Sequence, residues 1–356
     1  DRSPSRGLGD VYKRQMIDNI ITFQEAIEKC EGQGKHILLG NGFSIACKKD
    51  IFLYEKLFET ADFKNNIRLR EIFNLLKTYD FEKIIRILND TTIILSSYTD
   101  DSSIINQMQY DAKSLKEILI QTICRKHPDF PSEIKQTEYE SCRSFLSNFD
   151  RIFTLNYDLL LYWTMMNSLE DTSKKQNFND GFGKIKDIND YVVWDSKNNA
   201  SVYFLHGALH IFDSDDEIKK FTWINTGKRL IDQIRSALNS NKFPIFVSEG
   251  TSKEKKAKIF HNAYLSKAYR SFESIGKNLF IFGHSLDEND SHILHMIASG
   301  KIENVYISIY GDGNSSYNKK IILNANKLKE KSIECRKNKI LLNIHFYDAE
   351  SAHVWG

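Results

Sequence analysis

Short apolar runs that alternate with helix-type patterns constrain the fold of this chain more than any other feature of its sequence. Several of the runs contain no polar residue, which is typical of strands covered on both faces. Helix-type patterns lie between them, at residues 229–238, 252–269, 291–297 and 319–335. The alternation predicts an α/β fold, a Rossmann-like and mostly parallel sheet with helices on both faces. The predicted strands are residues 36–39, 151–155, 191–194, 202–205, 244–247, 279–282, 305–309 and 342–346.

Residues 50–149 interrupt this alternation. Apolar positions such as Ile67, Ile72 and Leu76 follow helical spacing there, and no strand pattern is present. We therefore predict a helical insertion at 50–149 within a core domain made of 16–49 and 150–356. Residues 1–15 are polar and unpatterned, so we expect a leader that is not native; a short disordered basic arm is the alternative.

Composition excludes several classes of protein. The chain has 356 residues, of which 41% are hydrophobic and 27% charged, as in ordinary globular proteins of about two domains. A net charge of +2 provides no general attraction to DNA, so nucleic acid is not expected as a direct ligand. No apolar run approaches the ~20 residues that span a bilayer. The five cysteines form no Cys-x-x-Cys pair and no secretory signal is recognisable, which predicts a cytoplasmic protein without structural zinc.

The first candidate site is a glycine loop between a predicted strand and a predicted helix. In such a loop, backbone N–H groups approach a diphosphate and the helix dipole favours the anion. A dehydrogenase fingerprint would need a third glycine where Ile45 stands, and a second strand ending in an acid, which is missing. A tight turn without a ligand explains the glycines equally well. The residues of the loop are Gly40, Asn41, Gly42, Phe43 and Ser44.

The second candidate follows the apolar run at 151–155. Thr154, Asn156 and Asp158 alternate at the carboxyl end of this strand, where ligands bind in open α/β sheets. Asn156 and Asp158 could instead cap the helix that follows. Three polar groups are more than one cap needs, which favours a binding role for at least one of them.

Two further strands end in glycine and histidine. His206-Gly207 follows the run at 202–205, and an imidazole placed there suits a base or a ribose contact. Gly283, Ser285 and Asp287 lie in the polar turn after the run at 279–282. Metal coordination by Asp287, Asp290 and His292 is an alternative, although helix capping explains the acids equally well.

Together the four segments resemble the sirtuin-like family, and they occur in the family's order. Asp50 to Phe149 has no counterpart in the core of that family. The chain is most similar to bacterial sirtuin-like proteins of phage defence, which hydrolyse NAD. The segments are Gly40-Asn41-Gly42-Phe43-Ser44, Thr154-Leu155-Asn156-Tyr157-Asp158, Leu205-His206-Gly207, and Gly283-His284-Ser285-Leu286-Asp287 with His292.

The resemblance implies an NAD glycohydrolase that releases nicotinamide and ADP-ribose. Deacylating sirtuins carry two Cys-x-x-Cys pairs for zinc, and their absence here counts against deacylation. Asn156 and His206 are then the catalytic residues, and no metal is expected. The implied NAD-binding residues are Gly40, Asn41, Gly42, Phe43, Ser44, Thr154, Asp158, Gly207, Gly283, Ser285 and Asp287.

Several alternatives stay open at this point. A catalytically silent module that senses NAD or ADP-ribose would share these residues. A hydrolase would require control by a regulatory protein or by a homo-oligomer, and the helical insertion is the expected contact. The basic helix within 319–339, with Ile321, Ala325, Leu328 and Ser332 on one face, is a second candidate contact or simply a solvated helix. The polar loop Asp180-Gly181-Phe182-Gly183 either covers the site or is uninvolved.

Overall fold

The computed structural model describes residues 20–63, 66–167, 178–184, 191–214, 217–222, 229–240, 242–247, 252–336 and 341–356. Residues 1–15, expected to form a leader, lie outside this part of the chain. The strands are β1 (Lys35–Leu39), β2 (Arg151–Thr154), β3 (Phe182–Lys184), β4 (Tyr191–Trp194), β5 (Val202–Phe204), β6 (Gly207–Ser214), β7 (Glu217–Phe221), β8 (Pro244–Phe246), β9 (Gly276–Phe282), β10 (Lys301–Ile309) and β11 (Asn343–Asp348).

The helices confirm most of the predicted helical segments. They are α1 (Phe23–Glu28), α2 (Asn41–Cys47), α3 (Lys49–Phe52), α4 (Tyr54–Thr60), α5 (Ile67–Leu75), α6 (Phe81–Leu95), α7 (Ser102–Lys126), α8 (Gln136–Leu146), α9 (Leu160–Asn167), α10 (Leu230–Asn239), α11 (Ser252–His261), α12 (Ala263–Glu273), α13 (Ser291–Ser299) and α14 (Ser316–Arg336). Short 3₁₀ turns lie at Pro131–Glu133, Glu288–Asp290 and Glu350–Ala352. The described residues of the predicted insertion are helical and contain no strand. The single helix predicted at 252–269 is two helices, α11 and α12.

The chain divides into two compact units. The first consists of the described residues of Asp1–Phe43, Gln136–Thr154 and Arg270–Gly356. Its five strands form a parallel sheet in the order β11-β10-β9-β1-β2, which confirms the predicted α/β fold. Leu39 of β1 lies opposite both Thr154 of β2 and Phe282 of β9. The three strands therefore end at the same level, and the loops that follow them start at one edge of the sheet.

Local sequence explains the helices of the first unit. The Thr22 hydroxyl accepts a hydrogen bond from the N–H of Glu25, whose carboxylate accepts from the N–H of Thr22, and this capping box starts α1. Aromatic rings fill the core between helices and sheet: Phe23 lies 5.1 Å from Phe145 and 6.0 Å from Phe280 between ring centroids. The predicted apolar face of α14 is buried, as its residues Ile321, Ala325, Leu328 and Ser332 show.

The second unit consists of Ser44–Lys135 and Leu155–Tyr269. It contains an antiparallel sheet in the order β3-β4-β7-β6-β8, which the sequence analysis did not predict. The segments 191–194 and 244–247 were expected in the parallel sheet, and that expectation is wrong. The predicted polar loop at 180–183 is also wrong in part, because Phe182–Lys184 is strand β3 and Asp180 is buried in an ion pair with Lys220.

No helix in the described part of the chain is both long enough and apolar enough to cross a membrane.

Candidate functional site

The glycine loop of the first unit packs directly against the turn that follows β9. The N–H of Gly40 donates to the Phe282 carbonyl (2.9 Å), and the N–H of Gly42 donates to the Gly283 carbonyl (2.8 Å). A Cβ on Gly40 would lie 2.6 Å from the Gly283 oxygen, and one on Gly42 would lie 2.5 Å from the Gly283 Cα. Gly283 itself has a φ of +69°, in the left-handed region. Three glycines are thus required for two loops to interlock.

This interlock changes the role expected for the loop. The N–H groups of Gly40 and Gly42 bond to the chain itself, so the diphosphate contact predicted for those two donors is not supported. Phe43 is also committed to the core, since its ring lies 5.1 Å from Trp355 and its carbonyl accepts the Trp355 indole N–H (2.9 Å). Gly40, Gly42 and Phe43 fix the shape of the loop, and Thr154 is buried at the end of the neighbouring strand β2.

The turn after β9 is fixed by a histidine. The Nδ1 atom of His284 accepts the N–H of Leu286 (3.0 Å), which leaves Nε2 as the atom that faces the Asp290 carboxylate (2.9 Å). Leu286 adopts a φ of +54°, a strained conformation that these bonds hold in place. Asp290 occupies the N-cap position of α13 but makes no side-chain cap, so the capping predicted for it is wrong.

Helix α14 supports the same turn from the side. The Lys320 ammonium lies 2.7 Å from an Asp287 carboxylate oxygen, and the Asn324 amide donates to the Ser285 carbonyl (3.0 Å). Burial alone would raise the pKa of Asp287, but the hydrogen bond and charge of Lys320 outweigh it and hold that pKa below its ordinary value. Asp287 is therefore an ionised, oriented acceptor, suited to a ligand hydroxyl.

In the second unit, three predicted residues form one buried hydrogen-bonded cluster. The Asn156 amide donates to the Ser44 hydroxyl (2.9 Å), and that hydroxyl donates to an Asp158 carboxylate oxygen (2.5 Å). Ser44 is fully buried, and Asn156 and Asp158 are almost so. Residues separated by more than one hundred positions are brought together here. We call Ser44, Asn156 and Asp158 the amide cluster.

Asp158 also caps the helix that follows it. Its other carboxylate oxygen accepts the N–H of Leu160 (2.9 Å), so the capping alternative is correct for Asp158. Burial raises the pKa of Asp158, and the bonds from Ser44 and Leu160 act in the opposite direction. Asp158 therefore holds Ser44 and the backbone of Leu160 in position. The Asn156 amide is the member of the amide cluster that is suited to bind a ligand.

A histidine that the sequence did not single out, His127, contacts the backbone just before this helix. The Nε2 atom of His127 accepts the N–H of Leu159 (3.0 Å), and its Nδ1 faces the Pro128 carbonyl (3.0 Å). Burial lowers the pKa of His127 to about 4, so the ring is neutral at physiological pH. No local pattern marks this residue, because its partner Leu159 lies 32 positions further along the chain.

His206 and Gly207 form a tightly constrained turn in the second unit. His206 is 2% exposed, and its carbonyl accepts the N–H of Val247 (3.0 Å). Gly207 has a φ of +83°, and a Cβ there would lie 1.9 Å from the Ile245 oxygen. The expected ligand-binding glycine is thus required by the close passage of the β8 backbone. The His206 ring faces Tyr157, with 6.4 Å between ring centroids and an angle of 25° between planes.

The structure therefore brings some of the predicted site residues into contact with one another, within each unit separately. It joins Ser44, Asn156 and Asp158 in the second unit, and it joins the glycine loop to Gly283 in the first. The acids of the metal alternative have protein partners within the first unit, Asp287 with Lys320 and Asp290 with His284.

Comparison with known families adds one assignment. A family model described as a domain of unknown function, DUF4917, matches residues 37–355, which is most of the chain. The chain belongs to the DUF4917 family. The matched DUF4917 region includes the glycine loop, the amide cluster, the His206-Gly207 turn and Asp287. No curated protein sequence matches the chain.

Proposed function

We propose that this DUF4917 protein is an NAD glycohydrolase that releases nicotinamide and ADP-ribose. The observation that carries the proposal is the amide cluster. Burying a serine, an asparagine and an aspartate costs free energy unless each is hydrogen-bonded, and here the bonds orient one neutral amide, that of Asn156. An amide held in this way is pre-organised for a substrate hydroxyl or a water molecule.

The chemistry asks little of acid catalysis. Nicotinamide leaves from NAD as a neutral base because its ring nitrogen is positively charged in the substrate. The bond between C1′ and that nitrogen breaks with both electrons going to the nitrogen, and a water oxygen then bonds to C1′ and loses a proton. The protein must hold the ribose, stabilise an oxocarbenium-like state and orient the water.

The proposal assigns these tasks to two side chains of the second unit. The Asn156 amide orients a ribose hydroxyl or the water without adding charge. The His206 imidazole accepts a proton from that hydroxyl or from the water. Asp158 and Ser44 act through Asn156, because their bonds to each other and to the amide hold it in one orientation.

The glycine loop has a different part in this proposal from the one first expected. Since the Gly40 and Gly42 N–H groups are bonded to the chain, they are not donors to a diphosphate in this proposal. The sequence resemblance motivates a role in anti-phage defence, and unregulated loss of NAD would harm the host cell. The proposal therefore includes control by a protein partner or by self-association.

Nicotinamide release by the purified full chain tests the proposal. We expect release by the wild type, a loss of at least about 100-fold in His206→Ala, and wild-type release in His261→Ala, which alters an exposed histidine of the same unit. NAD binding by calorimetry accompanies each assay. Binding without release in the wild type would identify the silent sensor instead. A wild type that neither binds nor cleaves NAD would contradict both functions.

A further inference from the structure

Tyr157 lies inside the second motif and has a role that the motif does not explain. Its ring packs on the Phe246 ring with 3.8 Å between ring centroids. The same Tyr157 ring also faces the His206 ring. Its hydroxyl lies 3.1 Å from the Val247 carbonyl and 3.3 Å from a Glu82 carboxylate oxygen. One side chain therefore contacts the proposed catalytic histidine, strand β8 with the residue after it, and helix α6.

Backbone bonds connect these contacts to His206. Val247, whose carbonyl bonds to the Tyr157 hydroxyl, donates its own N–H to the His206 carbonyl. The N–H of Leu209, three residues beyond His206, donates to the Tyr157 carbonyl (2.8 Å). Tyr157 thus uses its own ring, hydroxyl and backbone carbonyl to hold the turn that contains His206.

The other end of this chain of contacts lies in the helical insertion. Glu82 is in the first turn of α6, and its second carboxylate oxygen lies 3.5 Å from the ammonium of Lys255. Lys255 is 2% exposed and Glu82 is mostly buried, so this charged pair is held away from water. A buried charge pair keeps its geometry because breaking it leaves an uncompensated charge. Glu82 is therefore a fixed point against which the Tyr157 hydroxyl is placed.

We propose that Tyr157 is a positioning residue for His206 and that α6 of the insertion sets the orientation of this histidine through the bond between Glu82 and Tyr157. The inference deepens the proposed hydrolase, on which it rests, by naming the element through which the insertion reaches the site. A partner that moves α6 would act on His206 by this route.

Tyr157→Phe tests the proposal because it keeps the ring and removes only the hydroxyl. We expect kcat for nicotinamide release to fall about 10- to 100-fold with KM unchanged, since misplacement of a catalytic group slows chemistry more than binding. Glu82→Gln should also lower kcat for nicotinamide release. The matched control is Tyr162→Phe, since the Tyr162 hydroxyl is buried in the same unit and has no hydrogen-bond partner among the described residues, and it should keep the wild-type kcat.

An NMR titration of the His206 imidazole gives a readout that does not need turnover. Its resonances, assigned by their loss in His206→Ala, should change in chemical shift and midpoint in Tyr157→Phe and Glu82→Gln but not in Tyr162→Phe. If the wild type releases no nicotinamide, the proposed function fails and this titration alone decides the inference. Wild-type kcat in a folded Tyr157→Phe, or an unchanged His206 titration, would overturn it.

Discussion

At the scale of single residues, Gly207 illustrates how backbone geometry limits the site. Two separate costs oppose a side chain there: the φ of +83° and the Ile245 oxygen 1.9 Å from the Cβ position. Gly311 has a similar φ of +65°, and no atom of the described residues lies within 4 Å of its Cβ position. We expect Gly311→Ala to lower the free energy of unfolding by about 1–2 kcal/mol, and Gly207→Ala to lower it by more than about 3 kcal/mol. Equal losses in urea denaturation would show that the close contact with β8 has no energetic weight.

Buried histidines make stability depend on pH. Burial lowers the pKa of His127 to about 4 and that of His210 well below its ordinary value, with Lys220 adding to the effect at His210. The unfolded chain takes up protons at both histidines near pH 6.5, whereas the folded chain does not. Their stability contribution is therefore fully present above pH 6.5 and is lost as the pH falls toward 4. Each histidine contributes a slope of about 1.4 kcal/mol per pH unit in that window.

His210→Phe isolates one of these contributions. Both ring nitrogens of His210 are buried and have no hydrogen-bond partner in the described part of the chain, and the ring contacts Tyr162 and Phe204. Phenylalanine keeps those contacts and cannot titrate. Between pH 6.5 and 5, the variant should lose stability more slowly than the wild type, by about 1.4 kcal/mol per pH unit. Chemical denaturation at three pH values measures this, and identical slopes would contradict the assignment.

At the scale of elements, the sequence predicted the parallel strands well and the antiparallel sheet poorly. Strands β1, β2, β9 and β10 each contain a buried run of mostly apolar residues, a local pattern that follows directly from burial on both faces. Strand β3 has only three residues, too few for a period, and β7 carries three charged residues in five. Their pairing depends on contacts made far along the chain, which no local window contains.

The ion pair between Lys220 and Asp180 links two segments of the antiparallel sheet and could not be predicted from the sequence. Lys220 lies in β7 and Asp180 just before β3; both are buried and 2.5 Å apart. We expect Lys220→Met to lower the free energy of unfolding by about 3–5 kcal/mol, because it leaves a buried unpaired carboxylate. The double variant with Asp180→Asn should lose much less than the sum of the two single losses. Additive losses in the double-mutant cycle would mean that the two charges do not interact.

At the scale of the whole molecule, the DUF4917 match covers segments of both compact units. The order of the motifs could be predicted from the sequence, and so could the strand ends that carry them. The bond of Ser44 to Asp158 and the interlock of Gly40, Gly42 and Gly283 could not, because each joins segments that are distant in sequence. The N–H groups of Gly40 and Gly42 show this most clearly. The spacing of the glycines predicted donors that are open to a ligand, but these N–H groups are bonded to the carbonyls of Phe282 and Gly283.

In the proposed hydrolase, the Asn156 amide, held by Ser44 and Asp158, takes part in catalysis on NAD. The most direct measurement follows NAD by proton NMR with the wild type, Asn156→Ala and the control Asn239→Ala, which alters an exposed asparagine of the same unit. We expect free nicotinamide and ADP-ribose with the wild type and the control. In Asn156→Ala we expect release that is at least about 100-fold slower, with NAD binding retained. Release at the wild-type rate by Asn156→Ala would contradict this role of the amide.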